Sequence, residues 1–299
     1  MASLREIRRK IKSVKSTEQI TKAMKMVAAA RMRRSQSAIL ASRPFAVKME
    51  ELVRRLSVHE SLQTEAQDQA APLHPFFEKR ADGPAALLLV TADKGLCGAF
   101  NSSLFRATVD WLGANRGRKV YISVVGRKGR DFLRRLNGFD FEIVAEMAGI
   151  FPKVQFTHAE IIGKTLMDAF KDKGLSSVTM LYNEFKSVAV QRVVSAALLP
   201  IPAFVSAEPA PATVEYGFEP GRRLLLEGLL PRYIKAQIYR VLLESQAAEL
   251  AARMNAMDAA SKNAKELRQS LNLGLNRRRQ AIITGEIAEL VGGAEALAS

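Results

Sequence analysis

The last third of the chain, 231–291, contains no proline after Pro231, and its only interior glycines are Gly274 and Gly285. Read as one helix it would run on the order of 90 Å. That is longer than a single globular domain accommodates, and a periodic pattern of this length predicts a coiled coil or a shaft. Its small and apolar residues recur at alternating steps of three and four: Ile234, Ile238, Val241, Ser245, Ala248 and Ala252, then Ala260, Ala264, Leu267 and Leu271. Such a heptad-like seam favours left-handed supercoiling and requires a partner helix.

The beginning of the chain supplies one. Ser3, with Glu6 three residues on, predicts a capping box, and Leu4, Ile7, Ile11 and Val14 open a second narrow stripe. The spacing predicts a phase shift near Ser16 and Thr17, with the stripe resuming at Ile20 or Thr21 and passing through Met24, Ala28 and Met32. Pro44 should kink this helix, because proline lacks an amide donor and clashes with the preceding turn. The pattern nevertheless continues through Phe45, Met49, Leu52, Val53 and Leu56, a helix of roughly 80 Å.

The 299 residues are 48% hydrophobic but only 7% aromatic, so the apolar content is mostly aliphatic and helical, and the formal net charge is +15. A balance this basic points to acidic partners: nucleic acid, a membrane surface or acidic protein loops. Arg5, Arg8, Arg9, Lys10, Lys12, Lys15, Lys22 and Lys25, opposed only by Glu6 and Glu18, either form a solvated face or meet something acidic. A nucleic-acid-binding coiled coil with a basic helix is one reading of them, although these residues share their turns with the pairing seam. No apolar run reaches the roughly 18 to 20 residues that span a bilayer, and no signal peptide is visible. Met1 leads directly into the first helix, which leaves little room for a transit sequence. Cys97, the single cysteine, excludes an intramolecular disulfide framework and fits a reducing compartment.

Between the two helices the period changes. Residues 61–84 gather Pro, Asp and Gln and read as a linker. Short apolar runs at Ala85–Thr91, Lys119–Val125, Phe141–Ala145, Val178–Phe185 and Val188–Leu198 read as strands; Asn101–Ala114, Lys128–Leu136 and His158–Lys171 read as helices. This alternation implies a small Rossmann-like α/β layer over 85–199, mostly parallel with an antiparallel edge. A second proline-rich linker covers 200–219. The expected fold is therefore α+β overall: an antiparallel two-helix coiled coil built from the termini, 1–60 and 220–299, with an inserted α/β domain.

The turn TADKGLCGAFN follows a strand and opens a helix, where backbone amides can hold an anion. It lacks the spacing of either glycine-rich phosphate motif, as does GRKGR at Gly126, so tight turns that need glycine are the simpler reading. A third reading, an enzyme built on this domain, would place its pocket near Gly95 to Gly98. Cys97 reads as a small buried residue. His59, His74 and His158 have no metal-ligand neighbours in sequence, so no catalytic residue, metal or cofactor is expected.

Three stretches together resemble the gamma subunit of F-type ATP synthase: REIRRKIKSVKSTEQITKAMKMVAAARMRRSQ, TADKGLCGAFN, and QAAELAARMNAMDAASKNA followed by NRRRQAIITGEIAELVGGAEAL. The likeness runs in order along nearly the whole chain. It implies a non-catalytic central rotor stalk that couples ion flow to ATP synthesis, with paired helices inside a ring of three alpha and three beta subunits. The α/β domain would then sit at the foot with epsilon and the membrane c-ring, without nucleic acid, peripheral to the cytoplasmic face of a bacterial inner membrane. Carried over by motif, Met24 would face an acidic beta loop, and Arg279 and Gln280 a beta loop higher up. Ile287, Leu290 and Val291 would lie in a tip, 287–297, held in an apolar bearing. The helix pair would end near Leu271. The redox insertion of the chloroplast form is missing from the sequence.

Overall fold

The computed structural model describes residues 3–64, 74–151, 153–202 and 222–298. The long terminal helices, α1 (Leu4–Thr64) and α5 (Arg222–Ala298), pack together, and a mixed five-stranded sheet domain is inserted between them in sequence. The chain divides into two compact units, Met1–Ala28 with Arg253–Ser299, and Ala29–Ala252. Of the expected linker 61–84, residues 61–64 still belong to α1, 65–73 lie outside the described residues and Pro75–Phe77 form a short 3-10 turn; the expected linker 200–219 falls largely outside the described residues, as do the side chains of Leu56, His59 and Leu297.

In α1 the residues turned inward are Leu4, Ile7, Ile11, Val14, Glu18, Thr21, Lys25 and Ala28 in one unit, then Met32, Ser35, Ile39, Ser42, Ala46, Met49 and Val53 in the other. The steps alternate three and four without a break, so the expected phase shift does not occur. The seam instead runs through polar residues that an apolar pattern search passes over. Ile20, one expected resumption point, is 57% exposed, and Phe45 and Leu52 also face outward. Pro44 lies inside the helix. Pro44 and Leu40, whose carbonyl loses its amide partner, are both on the exposed face, where water can substitute.

The helix α5 begins at Arg222, inside the expected segment 220–299 and ahead of the periodic stretch that opens at Pro231, and takes Pro231 within it. From Leu226 to Ala251 it is buried on most sides. Leu230, Ile234, Ile238, Val241 and Leu242 are withdrawn from water completely, each contributing about 1.5–3 kcal/mol. Beyond that the buried surface narrows to one stripe, Met257, Ser261, Ala264, Arg268, Leu271, Leu275 and Arg278, while Leu267 is 51% exposed. Inward-facing positions thus continue to Arg278, two helical turns past the expected end.

The sheet has the order β3-β2-β1-β4-β5, with β1 (Ala85–Val90), β2 (Val120–Val125), β3 (Glu142–Met147), β4 (Ser177–Phe185) and β5 (Gln191–Leu199). The first four are parallel and β5 pairs antiparallel with β4. Strand β1 is buried on both faces, which is why it reads as the continuous apolar run AALLLV. Leu87 and Leu89 pack with Phe100, Leu104 and Leu112 of α2 (Phe100–Ala114) and with Leu133 of α3 (Arg127–Leu133). Ala86, Leu88 and Val90 join the core formed with α5 and with Ile162, Leu166 and Phe170 of α4 (Phe156–Asp172). Strand β5 starts later than its apolar run because Ser187 closes a turn: its hydroxyl accepts from Val190 N at 3.1 Å and its amide donates to Val190 O at 3.1 Å.

Candidate interface on the shaft helices

At the start of α1 the capping box forms as expected, Ser3 N donating to Glu6 Oε2 at 2.8 Å and Glu6 N to Ser3 Oγ at 3.3 Å. Across the seam of the same unit, Arg268 Nε donates to Glu18 Oε2 at 2.9 Å, and Lys25 pairs with Asp258, which also holds Lys262 at 3.0 Å. As the residue number rises in α1 its partner's falls in α5, so the helices are antiparallel. Lys25 and then Lys262 hold the Asp258 carboxyl below its ordinary pKa. Glu6 and Glu18 are therefore occupied, and Lys25 belongs to the seam. The outward cations are Arg5, Arg8, Arg9, Lys10, Lys12, Lys15 and Lys22.

Met24 is half-buried beside the seam. Ile20 and Val27, one helical turn to either side, are 57% and 52% exposed, so Met24 lies within an outward apolar strip, of which the sequence reading had placed Ile20 and Met24 in the pairing stripe. Arg279 and Gln280 are exposed just past the last inward residue, and no residue from 279 to 294 is buried. Gln280, Ile283, Ile287 and Leu290 follow steps of three and four along one face, and Val291 flanks it. Leu290 is 74% exposed. Met24 and the Arg279–Gln280 pair are not brought together, since the α5 residues opposite Met24, around Asp258, lie roughly 30 Å of helix away from Arg279.

At the strand-end turn of the sheet domain Asp93 accepts from amides of two other loops. Arg127 N and Gly149 N donate to Asp93 Oδ1 at 3.1 and 2.9 Å, and Phe151 N reaches Oδ2 at 3.4 Å. Asp93, within the turn, thus anchors the two later loops at Arg127 and at Gly149–Phe151 with its own carboxylate. Gly126 and Gly129 are required for close packing on the end of β1: a Cβ at either would fall within 2.7 Å of Thr91 Oγ1. Among the described residues, no group of three His, Cys, Asp or Glu side chains is placed to hold a metal. Cys97 is buried. Leu96, which sequence reasoning passed over, has φ 63° and is 64% exposed; a leucine in the left-handed region signals a local constraint.

A family model described as ATP synthase matches residues 3–297. The ATP synthase gamma chain of Elusimicrobium minutum is 44% identical over 306 residues, covering 99% of each chain, and that of Anaeromyxobacter sp. strain K is 43% identical over 302 residues. The chain belongs to the ATP synthase gamma-chain family. A chain from the central stalk and c-ring structure of the Tetrahymena thermophila mitochondrial ATP synthase agrees in fold, with TM-score 0.60, 30% identity and coverage of 81% of this chain and 99% of that one. A chain from the Euglena gracilis mitochondrial enzyme matches with TM-score 0.65 at 19% identity, which is a likeness of fold alone.

As a gamma chain this protein is the central-stalk, rotor subunit of ATP synthase and a non-catalytic part of the complex. That decides among the readings open to the sequence: the basic helix belongs to a stalk rather than to a nucleic-acid-binding coiled coil, and the α/β domain is no enzyme. Among the described residues no helix is long and apolar enough to cross a membrane.

Proposed function

We propose that this gamma chain carries torque between a membrane c-ring at its α/β domain and a ring of three alpha and three beta subunits around its helices, with epsilon beside the α/β domain, at the cytoplasmic face of a bacterial inner membrane. The observation that supports this most is the end of α5, where Ile282, Ile283, Ile287, Leu290 and Val291 stand exposed on a helix with no buried residue from 279 to 294. An apolar surface of that kind calls for a sleeve from another protein. In this reading Met24 touches an acidic beta loop, Arg279 and Gln280 a second one, and Ile287, Leu290 and Val291 turn in the bearing.

The mechanism is that of a camshaft. A shaft without threefold symmetry shows each catalytic site a different face, and those differential contacts bias the sites among open and closed states. The outward cations steer association with acidic loops. The test is reconstitution: mixing this chain with alpha and beta subunits should give a stable complex with cooperative ATPase, and a chain truncated after Arg278 should hold the ring less firmly. Absence of complex with the full chain would refute the reading.

A further inference from the structure

The inward side of α1 is packed unevenly within its larger unit. Met32 and Ser35 are buried, and so are Met49 and Val53, but the inward residues between them, Ile39, Ser42 and Ala46, are only half-buried. The two buried stretches stand roughly 21 Å apart along the helix. Each is tied down. Ser35 Oγ donates to Gln246 Oε1 of α5 at 3.2 Å, and Met49 and Val53 belong to the core that contains Leu230 and Ile234 of α5.

The turn between these anchors is loose for three separate reasons. Small side chains meet there: Ser42 and Ala46 of α1 and Ala236 of α5 line a cavity of about 340 Å³, with Phe156 of α4 and Tyr239 of α5 among its other walls. Pro44, inside the helix, has no amide to donate to Leu40 O, and its ring crowds that carbonyl. Ser42 donates its hydroxyl within its own helix, to Ile39 O at 3.0 Å, a back-bond of the kind that bends helices. On the outward side Leu40 and Val47 are 64% and 54% exposed, so the rest of the described chain leaves that side of the turn uncovered.

We propose that the turn around Pro44 is a hinge. The helix α1 bends at residues 39–46, closing onto the cavity and swinging back from it, while the stretches around Ser35 and Val53 keep their packing. Bending concentrates there because the proline has already removed a backbone hydrogen bond and none of the inward side chains of the turn is fully buried. The hinge is a property of the chain itself and stands apart from the stalk reading, so either can fail while the other holds.

The experiment uses the full chain in three forms: the parent, Pro44→Ala and Ala46→Leu. Hydrogen exchange, read residue by residue, compares amides 41–43 and 45–48 with those of 31–37 and 49–54. In the parent the turn should exchange at least about tenfold faster than both flanks. Pro44→Ala restores the missing bond and should slow the turn by at least about tenfold, with little change in the flanks. Spin labels on Arg34→Cys and Glu50→Cys, both exposed positions, report the bend as a distance distribution, with Cys97 buried away from the label. Pro44→Ala should narrow that distribution, as should Ala46→Leu by filling the space the helix closes onto. Turn and flanks exchanging alike in the parent would overturn the proposal. So would a slowing in Pro44→Ala that spreads evenly along α1, or a distance distribution that neither variant narrows.

Discussion

Replacing Asp93 tests whether the strand-end turn is held by an internal anion. Its carboxylate is nearly buried and accepts two well-formed amide bonds at 2.9 and 3.1 Å and a longer one at 3.4 Å. Hydrogen bonds to a charged group contribute about 1.5–3 kcal/mol each, and a buried amide left without a partner is penalised further. Asp93→Ala should therefore cost about 3–5 kcal/mol, a large share of the ~5–15 kcal/mol that stabilises a typical domain. Asp93→Asn keeps one acceptor but turns a donor toward Phe151 N, and should cost about 1–3 kcal/mol. Urea unfolding followed by circular dichroism measures the difference, and hydrogen exchange should show the Arg127 and Gly149 amides losing protection first. Because the alanine variant vacates an anion position, formate should restore part of its stability and leave the parent unchanged. Both variants within about 0.5 kcal/mol of the parent, or equal rescue of the parent, would refute the reasoning.

Three further outcomes follow from the structure. A double-mutant cycle on Glu18→Gln and Arg268→Gln should give a coupling of about 1 kcal/mol that shrinks with added salt, since this seam pair is less than one-third exposed on either side; a coupling indifferent to salt contradicts the assignment. Leu230→Ala should lower the stability of the isolated chain by about 2–5 kcal/mol, whereas Leu290→Ala should leave it unchanged and weaken only the hold on an alpha-beta ring; calorimetry and complex yield separate the two. Burial, with Glu50 nearby, pushes Tyr233 up to about 12 from its ordinary 10.0. An acid whose folded pKa is raised adds stability that is full below the unfolded value and fades as pH climbs toward the folded one. The parent should accordingly lose about 2–3 kcal/mol more than Tyr233→Phe between pH 10 and 12 in alkaline unfolding.

The element order was legible in the sequence because each element carries one dominant period: three and four steps in α1 and α5, a continuous apolar run in β1. The errors arise where a seam is polar. Glu18 and Lys25 sit at pairing positions because Arg268 and Asp258 face them, a complementarity between residues far apart in the chain that no local pattern records. A search for apolar residues therefore introduced a phase shift and left Ile20 and Thr21 as alternative resumption points, of which Thr21 lies on the seam. Leu267 was likewise preferred to Arg268. Phe76, within the segment read as a linker, is buried and its carbonyl accepts from Ile201 N at 2.8 Å, an anchoring made by residues distant in sequence. At the candidate interface, motif likeness picked out Met24, Arg279, Gln280, Ile287, Leu290 and Val291, while the outward strip of Ile20 and Val27 became visible only once the register was known. Asp93 was passed over because the amides it holds come from two later loops.

The central claim is that this chain turns inside its ring. A bead fixed to an outward residue of the α/β domain, such as Lys164 of α4, in a complex assembled from this chain with alpha and beta subunits, should rotate in one direction with threefold pauses when ATP is supplied. ATP hydrolysis at a normal rate with the bead stationary, or diffusing without direction, would contradict it.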